Sequence, residues 1–319
     1  PRIGPDRCRF WLELAGGRPY CGRRHGFPWA TPTNLLRPSL WRRRAERGVM
    51  VVVWIGVIIA VALAAGVVAN HWVRPFAKTE VQGIKLEVLL RPLLTLTVLL
   101  LSFVLVQAFG SFNRVRAAEG EEARRLAFEY EVAGYFDDDI ALPVQTALIC
   151  YGRAVVNVEW PALSSGIQLH PLPTDWAAEV DVAMAEIAAG DDTDQPYGTF
   201  LGAERDRANA RGKRLVEAEP AVPFSVRLLM VLVSAVSLAA IAAFTLPYIS
   251  RGVQIGASVV MAVVFMAMHW TIYEIDHKFD GVIQVEPAEM QLLSTAMSED
   301  FTERHADVMI PCDEEGRPR

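Results

Sequence analysis

Cysteine is scarce in this chain, with four in 319 residues, which excludes a small secreted scaffold held by disulfides. There is no glycine-rich phosphate loop, no metal-type histidine pair at helical spacing and no nucleophile elbow. No nucleophile or acid–base pair stands out either, so no enzyme is expected, no catalytic residue is assigned, and no cofactor or metal site is expected. Disorder is excluded as well, because 52% of the residues are hydrophobic and only 21% are charged.

Methionine is absent before Met50, and lysine is absent from residues 1–49. That opening stretch is a basic, Arg/Pro-rich extension with eleven arginines and six prolines, a net charge of +8 and no sustained helical or strand period. The other 270 residues carry −14. A basic arm of this kind can bind nucleic acid or an anionic lipid surface. A plainer reading is a GC-rich untranslated region read as codons, with translation expected to begin at or near Met50. On that reading only Cys150 and Cys312 remain, no disulfide framework is expected, and Cys150 packs as a small apolar residue.

What is present is long apolar runs. Residues 50–69 pass without a charge, enough at about 1.5 Å per residue to cross a hydrocarbon core of about 30 Å. A cleavable signal peptide is the competing reading, since Arg42–Arg44 precede the run. Further spans are predicted over 92–109, with Pro92 in the first turn, over 226–246, and over 253–273, the last two forming a hairpin. The expected fold class is all-α: a polytopic membrane protein with four transmembrane helices and a helical cytoplasmic insert.

The expected parts are transmembrane helices 1 and 2 over 50–110, an acidic helical cytoplasmic domain over 111–225, a transmembrane hairpin over 226–275 and a cytoplasmic C-terminal segment over 276–319. With four spans, nine basic residues flank the spans on the side of the large loop and five on the other, which places that loop in the cytoplasm of a plasma-membrane protein. Helices are predicted in it over 116–136, 143–163, 174–189 and 199–218, with Thr174 or Asp175 as the cap of the third. Its ten basic and twenty acidic residues make nucleic acid an unsuitable partner. The lipid bilayer and further copies of the chain are the expected partners, and a cytoplasmic protein partner is left open.

Within the spans, Gly56, Ala60 and Ala64 recur every four residues, a spacing that lets helix backbones approach. Thr95, Ser102 and Gln107 are the polar groups of the second span and fit either interhelical bonding or a wet pathway. Leu99 and Phe103 lie one turn apart, with Leu96 continuing the face. Such a face forms an apolar constriction if several copies meet around an axis, although ordinary helix packing has the same spacing. Asp137–Asp139 and Asp191–Asp194 lack the spacing of a calcium loop and read as solvated charges.

The residues leaving the fourth span read Ile275-Asp276-His277-Lys278-Phe279-Asp280-Gly281-Val282-Ile283-Gln284-Val285-Glu286-Pro287. Asp276, Phe279, Gly281, Val285 and Pro287, with a helix opening at Ala288, resemble the signature of the bacterial bestrophin-like membrane family. The Arg124-Arg125 pair and the Glu159-Trp160-Pro161 step resemble it too, so the likeness covers about residues 50–297. Bestrophins are pentameric anion channels with a neck on the second span and an acidic calcium clasp after the fourth. The resemblance therefore implies an oligomeric ion channel with Leu99 and Phe103 at the neck, and with Asp276, Phe279 and Gly281 shaping the membrane exit. Val282–Val285 stand where the acids of the clasp would be, which speaks against calcium gating, and the acidic loop lowers anion concentration at the mouth. The alternative function is a non-conducting membrane scaffold or sensor whose acidic cytoplasmic helices bind partners.

Overall fold

The computed structural model describes residues 38–73, 86–166, 169–189, 195–244 and 250–319. The extension before residue 38, and with it Cys8 and Cys21, lies outside the described residues, as do Arg74, Lys78, Lys85 and Asp191–Asp194. The order of elements is α1 (Pro38–Val73), α2 (Leu86–Ala133), α3 (Asp138–Ala154), a π-helical turn (Val155–Glu159), α4 (Trp160–Ser164), α5 (Pro171–Ala189), α6 (Gln195–Glu217), α7 (Phe224–Phe244), α8 (Arg251–Asp276) and α9 (Ala288–Arg304). The described fold is all-helical, the only strand-like pairing being an isolated bridge between Cys312 and Pro318.

Among the described residues, five stretches are long and apolar enough to cross a membrane: Met50–Trp72, Arg91–Ala133, Asp138–Ser164, Phe224–Ala243 and Gly252–Asp276. They differ in what surrounds them. The apolar window of Asp138–Ser164 is 67% buried against the rest of the chain, that of Met50–Trp72 only 11%. A helix wrapped by its own chain has no apolar face left for lipid, whereas an uncovered one needs another apolar phase around it.

Several expectations are corrected. The predicted break between the second span and a helix over 116–136 is absent: α2 is one rod of 48 residues, about 72 Å at 1.5 Å per residue. Its polar half (Arg116 to Glu131) is rich in alanine, glutamate and arginine, good helix formers that let the rod run on. The boundary placed at residue 110 thus falls inside a helix. Pro92 lies inside that rod and not in its first turn, so the bond from residue 92 to the Val88 carbonyl is lost near the helix end. Helix α1 starts at Pro38, inside the extension read as lacking a helical period and carried there by a run of arginine, alanine and glutamate, while its apolar stretch begins at Met50 as expected. Helix α5 starts at Pro171, which places Thr174 and Asp175 inside it and leaves neither as its cap.

The small-residue face of α1 is corrected in part, since Gly56 approaches the Met266 side chain of α8 but the rest of the face does not pack within the chain. Ala60 and Ala64 are exposed within the chain, while Ile59, Gly66 and Asn70 are buried. Asn70 Nδ2 donates to the Ala243 carbonyl at 2.6 Å, and a Cβ on Gly66 would stand 2.4 Å from the Ala239 carbonyl oxygen. The tight crossing of α1 on α7 is therefore made at Gly66, one heptad beyond Ile59.

Among the described residues, two apolar clusters stand out. One joins Leu101, Val104 and Ala108 of α2 to Met230 of α7 and Phe265, Ile272 and Ile275 of α8. The other gathers α2, α5, α6 and α9 around α3, whose Leu148, Ile149, Cys150 and Tyr151 are fully buried. The expected absence of a disulfide is overturned here, because Cys150 is bonded to Cys312. The C-terminal residues hook back onto α3, with Trp176 Nε1 donating to the Gly316 carbonyl at 2.7 Å and Asn157 Nδ2 to the Glu314 carbonyl at 2.9 Å. Gly316 has φ +78°, and a Cβ there would meet the Ala154 backbone at 2.5 Å, so only glycine fits the hook.

Gly66→Val forces α1 away from α7 and is expected to cost about 1–3 kcal/mol, the range for overpacking. Gly256, with nothing within 4 Å of its Cβ position, is the control. Thermal unfolding of the detergent-solubilised protein should show a lowered Tm for Gly66→Val and none for Gly256→Ala.

Candidate functional site on the second helix and the membrane exit

Two stripes divide α2 lengthwise. Thr97, Leu101, Val104, Ala108, Ser111 and Val115 recur at three- and four-residue steps and are all buried. Thr97 Oγ1 shares a hydrogen bond of 2.7 Å with Ser237 Oγ of α7, so the stripe is pinned as well as packed. On the opposite side Thr95, Leu96, Leu99, Ser102, Phe103 and Val106 are exposed, Leu99 at 62% and Phe103 at 71%. Gln107 is exposed at the edge of this stripe, and Thr95 Oγ1 turns back to donate to the Arg91 carbonyl at 2.9 Å. The five residues singled out from the second span thus share one side of one helix, and the chain itself leaves that side uncovered.

The phase of that stripe is set beyond the apolar half. Arg207, Arg211 and Arg214 recur along α6 at four- and three-residue steps, as a helical face does. Facing them on α2 are Glu122 and Glu129, seven residues apart, and Glu159 ends the π turn. Arg214 Nε donates to Glu122 Oε2 at 2.6 Å and its Nη2 to Glu159 Oε2 at 2.5 Å. Arg211 Nη2 reaches Glu159 Oε1 at 2.6 Å, and Arg207 Nε reaches Glu129 Oε2 at 2.5 Å. Tyr151 Oη donates to Glu122 Oε1 at 2.6 Å, with the Arg207 guanidinium 4.6 Å above its ring. Burial opposes the charge on Arg214, but the Glu122 and Glu159 carboxylates outweigh it and hold its pKa above the ordinary arginine value.

At the membrane exit, α8 ends at Asp276 and the chain turns back on the α6–α7 junction. Asp276 Oδ1 accepts from the backbone N–H of Ala221 at 2.7 Å and of Val222 at 3.1 Å. Lys278, 1% exposed, donates from Nζ to the Glu217 and Glu219 carbonyls at 2.6 and 2.7 Å. Burial pulls the Lys278 pKa down, while the negative charges of Asp276 and Glu217 act the other way. Phe279 packs edge-on against Trp160 at 5.2 Å, and Trp160 Nε1 donates to the Val285 carbonyl at 2.9 Å. Gly281 has φ +98°, and a Cβ there would stand 2.3 Å from Glu274 Oε2, which accepts from Val282 N–H at 2.8 Å. Pro287 precedes α9, whose start is capped from another helix by Glu119 Oε1 accepting from Met290 N–H at 2.8 Å.

The structure thus places Asp276, Phe279, Gly281, Val285 and Pro287 in one turn, apart from the stripe of Leu99 and Phe103. Lys278 and the α6 arginines escaped the sequence reading as site residues. The heptad match between Arg207/Arg214 and Glu122/Glu129 was the signal that could have found the arginines. Val282, Ile283 and Gln284 are exposed, and among the described residues no group of three or more histidine, cysteine, aspartate or glutamate side chains could hold a metal ion.

Uncovered apolar helices joined to a charge-stitched helical bundle define a multi-pass, all-helical membrane protein. A family model of the bestrophin-like domain matches residues 55–290, and the chain belongs to that family. Two solved structures with the same fold are of a bacterial bestrophin homologue from Klebsiella pneumoniae. A point mutant is 11% identical, with a TM-score of 0.60 over 77% of this chain and 98% of that one. The structure phased with zinc is 12% identical, with a TM-score of 0.56 over 79% and 98%. No curated protein matches the chain.

Removing Arg214 strands the Glu122 and Glu159 carboxylates in a dry interior. Arg214→Met is expected to destabilise the protein by about 3–5 kcal/mol, the range for breaking a buried pair. Adding Glu122→Gln should restore part of that loss, read as the midpoint of denaturant unfolding in detergent.

Proposed function

We propose that the protein is an oligomeric ion channel of the bestrophin-like type, with identical copies ringed so that the exposed stripe of α2 faces the axis. The observation that carries this is the uncovered side of α2. Leu99 and Phe103 form the neck, where a ring of apolar side chains gates by dewetting. Thr95, Ser102 and Gln107 supply polar groups along the same path. Asp276, Phe279 and Gly281 hold the turn leaving α8, so that the bundle keeps a fixed angle to the spans.

Four spans fit this arrangement: α1, the first half of α2, α7 and α8. The fifth apolar stretch, α3 to α4, contains Glu159, holds the C-terminal hook through Arg153 and Asn157, and is wrapped by α2, α5 and α9. The soluble bundle lies in the cytoplasm by its flanking basic residues, and the membrane is the plasma membrane. Against that side stands the Cys150–Cys312 bridge, since disulfides persist mainly in oxidising compartments. Protease added to intact cells decides between them, leaving the bundle uncut if it faces the cytoplasm. An excess of acid over base in residues 111–225 favours cations over anions at the mouth.

The test is native mass spectrometry in mild detergent followed by ion flux in liposomes. A ring of copies is expected, and Phe103→Ala is expected to widen the neck and raise flux severalfold with the ring intact. A monomer or dimer, or flux indifferent to Phe103→Ala and Leu99→Ala, removes the channel and leaves the scaffold reading.

A further inference from the structure

On another side of the spans, α1, α7 and α8 enclose a cleft of about 380 Å³. Its walls are apolar: Trp54, Ile55 and Ile58 of α1, Leu228 and Val231 of α7, and Ile272 of α8. Two ionic side chains also line it, Arg227 and Asp276. Asp276 is 2% exposed; its Oδ1 is taken by the Ala221 and Val222 amides, but its Oδ2 is buried without a hydrogen bond. Arg227 Nε is likewise buried with no acceptor.

A carboxylate oxygen out of water with nothing to accept from is costly, and an unbonded guanidinium N–H is costly too. Both belong to the same end of the α7–α8 hairpin, because Asp276 closes α8 while its Oδ1 holds residues just ahead of the α7 turn bearing Arg227. Beside a long apolar wall the cleft therefore offers the unmet Asp276 Oδ2 acceptor and the unmet Arg227 Nε donor, and a third buried polar atom without a hydrogen bond, His269 Nε2, also lines it. A soluble zwitterion satisfies the Asp276 and Arg227 groups but leaves the wall wet, whereas a lipid meets the two charges and the wall together.

We propose that this cleft binds a membrane phospholipid whose head carries a primary ammonium, the phosphatidylethanolamine class. The ammonium donates to Asp276 Oδ2, a phosphodiester oxygen accepts from Arg227 Nε, and an acyl chain lies along the α1 wall. A choline head has no N–H to donate. A glycerol head donates only a neutral hydroxyl, roughly half as strong a bond to a carboxylate as an ammonium makes. This site is separate from the α2 stripe, and it stands whether or not the protein conducts.

The test counts lipids retained by the full chain in native mass spectra after incubation with vesicles of phosphatidylethanolamine, phosphatidylcholine or phosphatidylglycerol with matched acyl chains. Retention of the ethanolamine lipid about tenfold above the choline lipid is expected, the ratio for one hydrogen bond to a charged group. Excess soluble phosphoethanolamine should not displace it, and displacement would make the source a free head group instead of a lipid. Asp276→Asn keeps the Oδ1 acceptor for Ala221 and Val222 but puts a donor at the other position, so the preference should vanish. Arg227→Gln should lower retention of all three lipids. Equal retention of the three by the wild-type protein, or a preference that survives Asp276→Asn, overturns the proposal. Should Asp276→Asn fail to fold by circular dichroism, the wild-type ranking and Arg227→Gln decide alone.

Discussion

The arginine face of α6 against the glutamates of α2 and the π turn is the contact on which the rest of the molecule depends. Arg207, Arg211 and Arg214 give up water to meet Glu129, Glu159 and Glu122; burial opposes the charge on Glu159 but Arg214 and Arg211 outweigh it, whereas burial pushes Glu129 up to about 7 against the pull of Arg207. Such pairs seldom add net stability over a well-packed apolar interior, but a misaligned alternative leaves a bare charge inside. A one-residue slip of α6 would do that three times over. The network therefore acts on register more than on total stability.

Register matters because α2 belongs to both halves of the molecule. Its lower part is rotated by the charges, and rotation of a rigid helix is transmitted along its whole length, some 24 residues back into the apolar half. That fixes which side of Leu96 to Val106 is packed on α7 and α8 and which is left open. The π turn contributes at the other end of the network. Its extra residue shifts the phase of the helix, so that Glu159 points to the arginines and Trp160 to Phe279 and Val285.

Trp160 then links the network to the membrane exit. Asp276 and Lys278 hold the α6–α7 junction from the opposite side, one through its carboxylate and the other through two carbonyls. A rotation of α6 would be felt at residues 217–222 and so at the end of α8. The exit turn, the bundle and the stripe on α2 form a single mechanical unit, joined by buried polar contacts that have few alternative arrangements.

Hydropathy alone pointed to a helical membrane protein, because an uncharged apolar run of twenty residues such as 50–69 is long enough to cross a bilayer. The same pattern placed Leu99 and Phe103 on one side of a helix, and the motif from Asp276 to Pro287 pointed to the family. Local signals failed where the deciding partner was distant in sequence. Local propensity predicts a helix over 116–136 but not that it joins the span ahead of it, since the polar half of α2 is held by α6, about ninety residues on. Cys150 looked like a small core residue because its partner, Cys312, arrives only when the C-terminus folds back past Gly316. Only the tertiary structure decided that Ala60 and Ala64 stay exposed while Gly66 meets α7, that Arg227 and Asp276 line one apolar cleft, and that the arginines of α6 are buried. Burial and pairing are properties of surfaces brought together by the fold, and a linear pattern carries only the periodicity of each surface by itself.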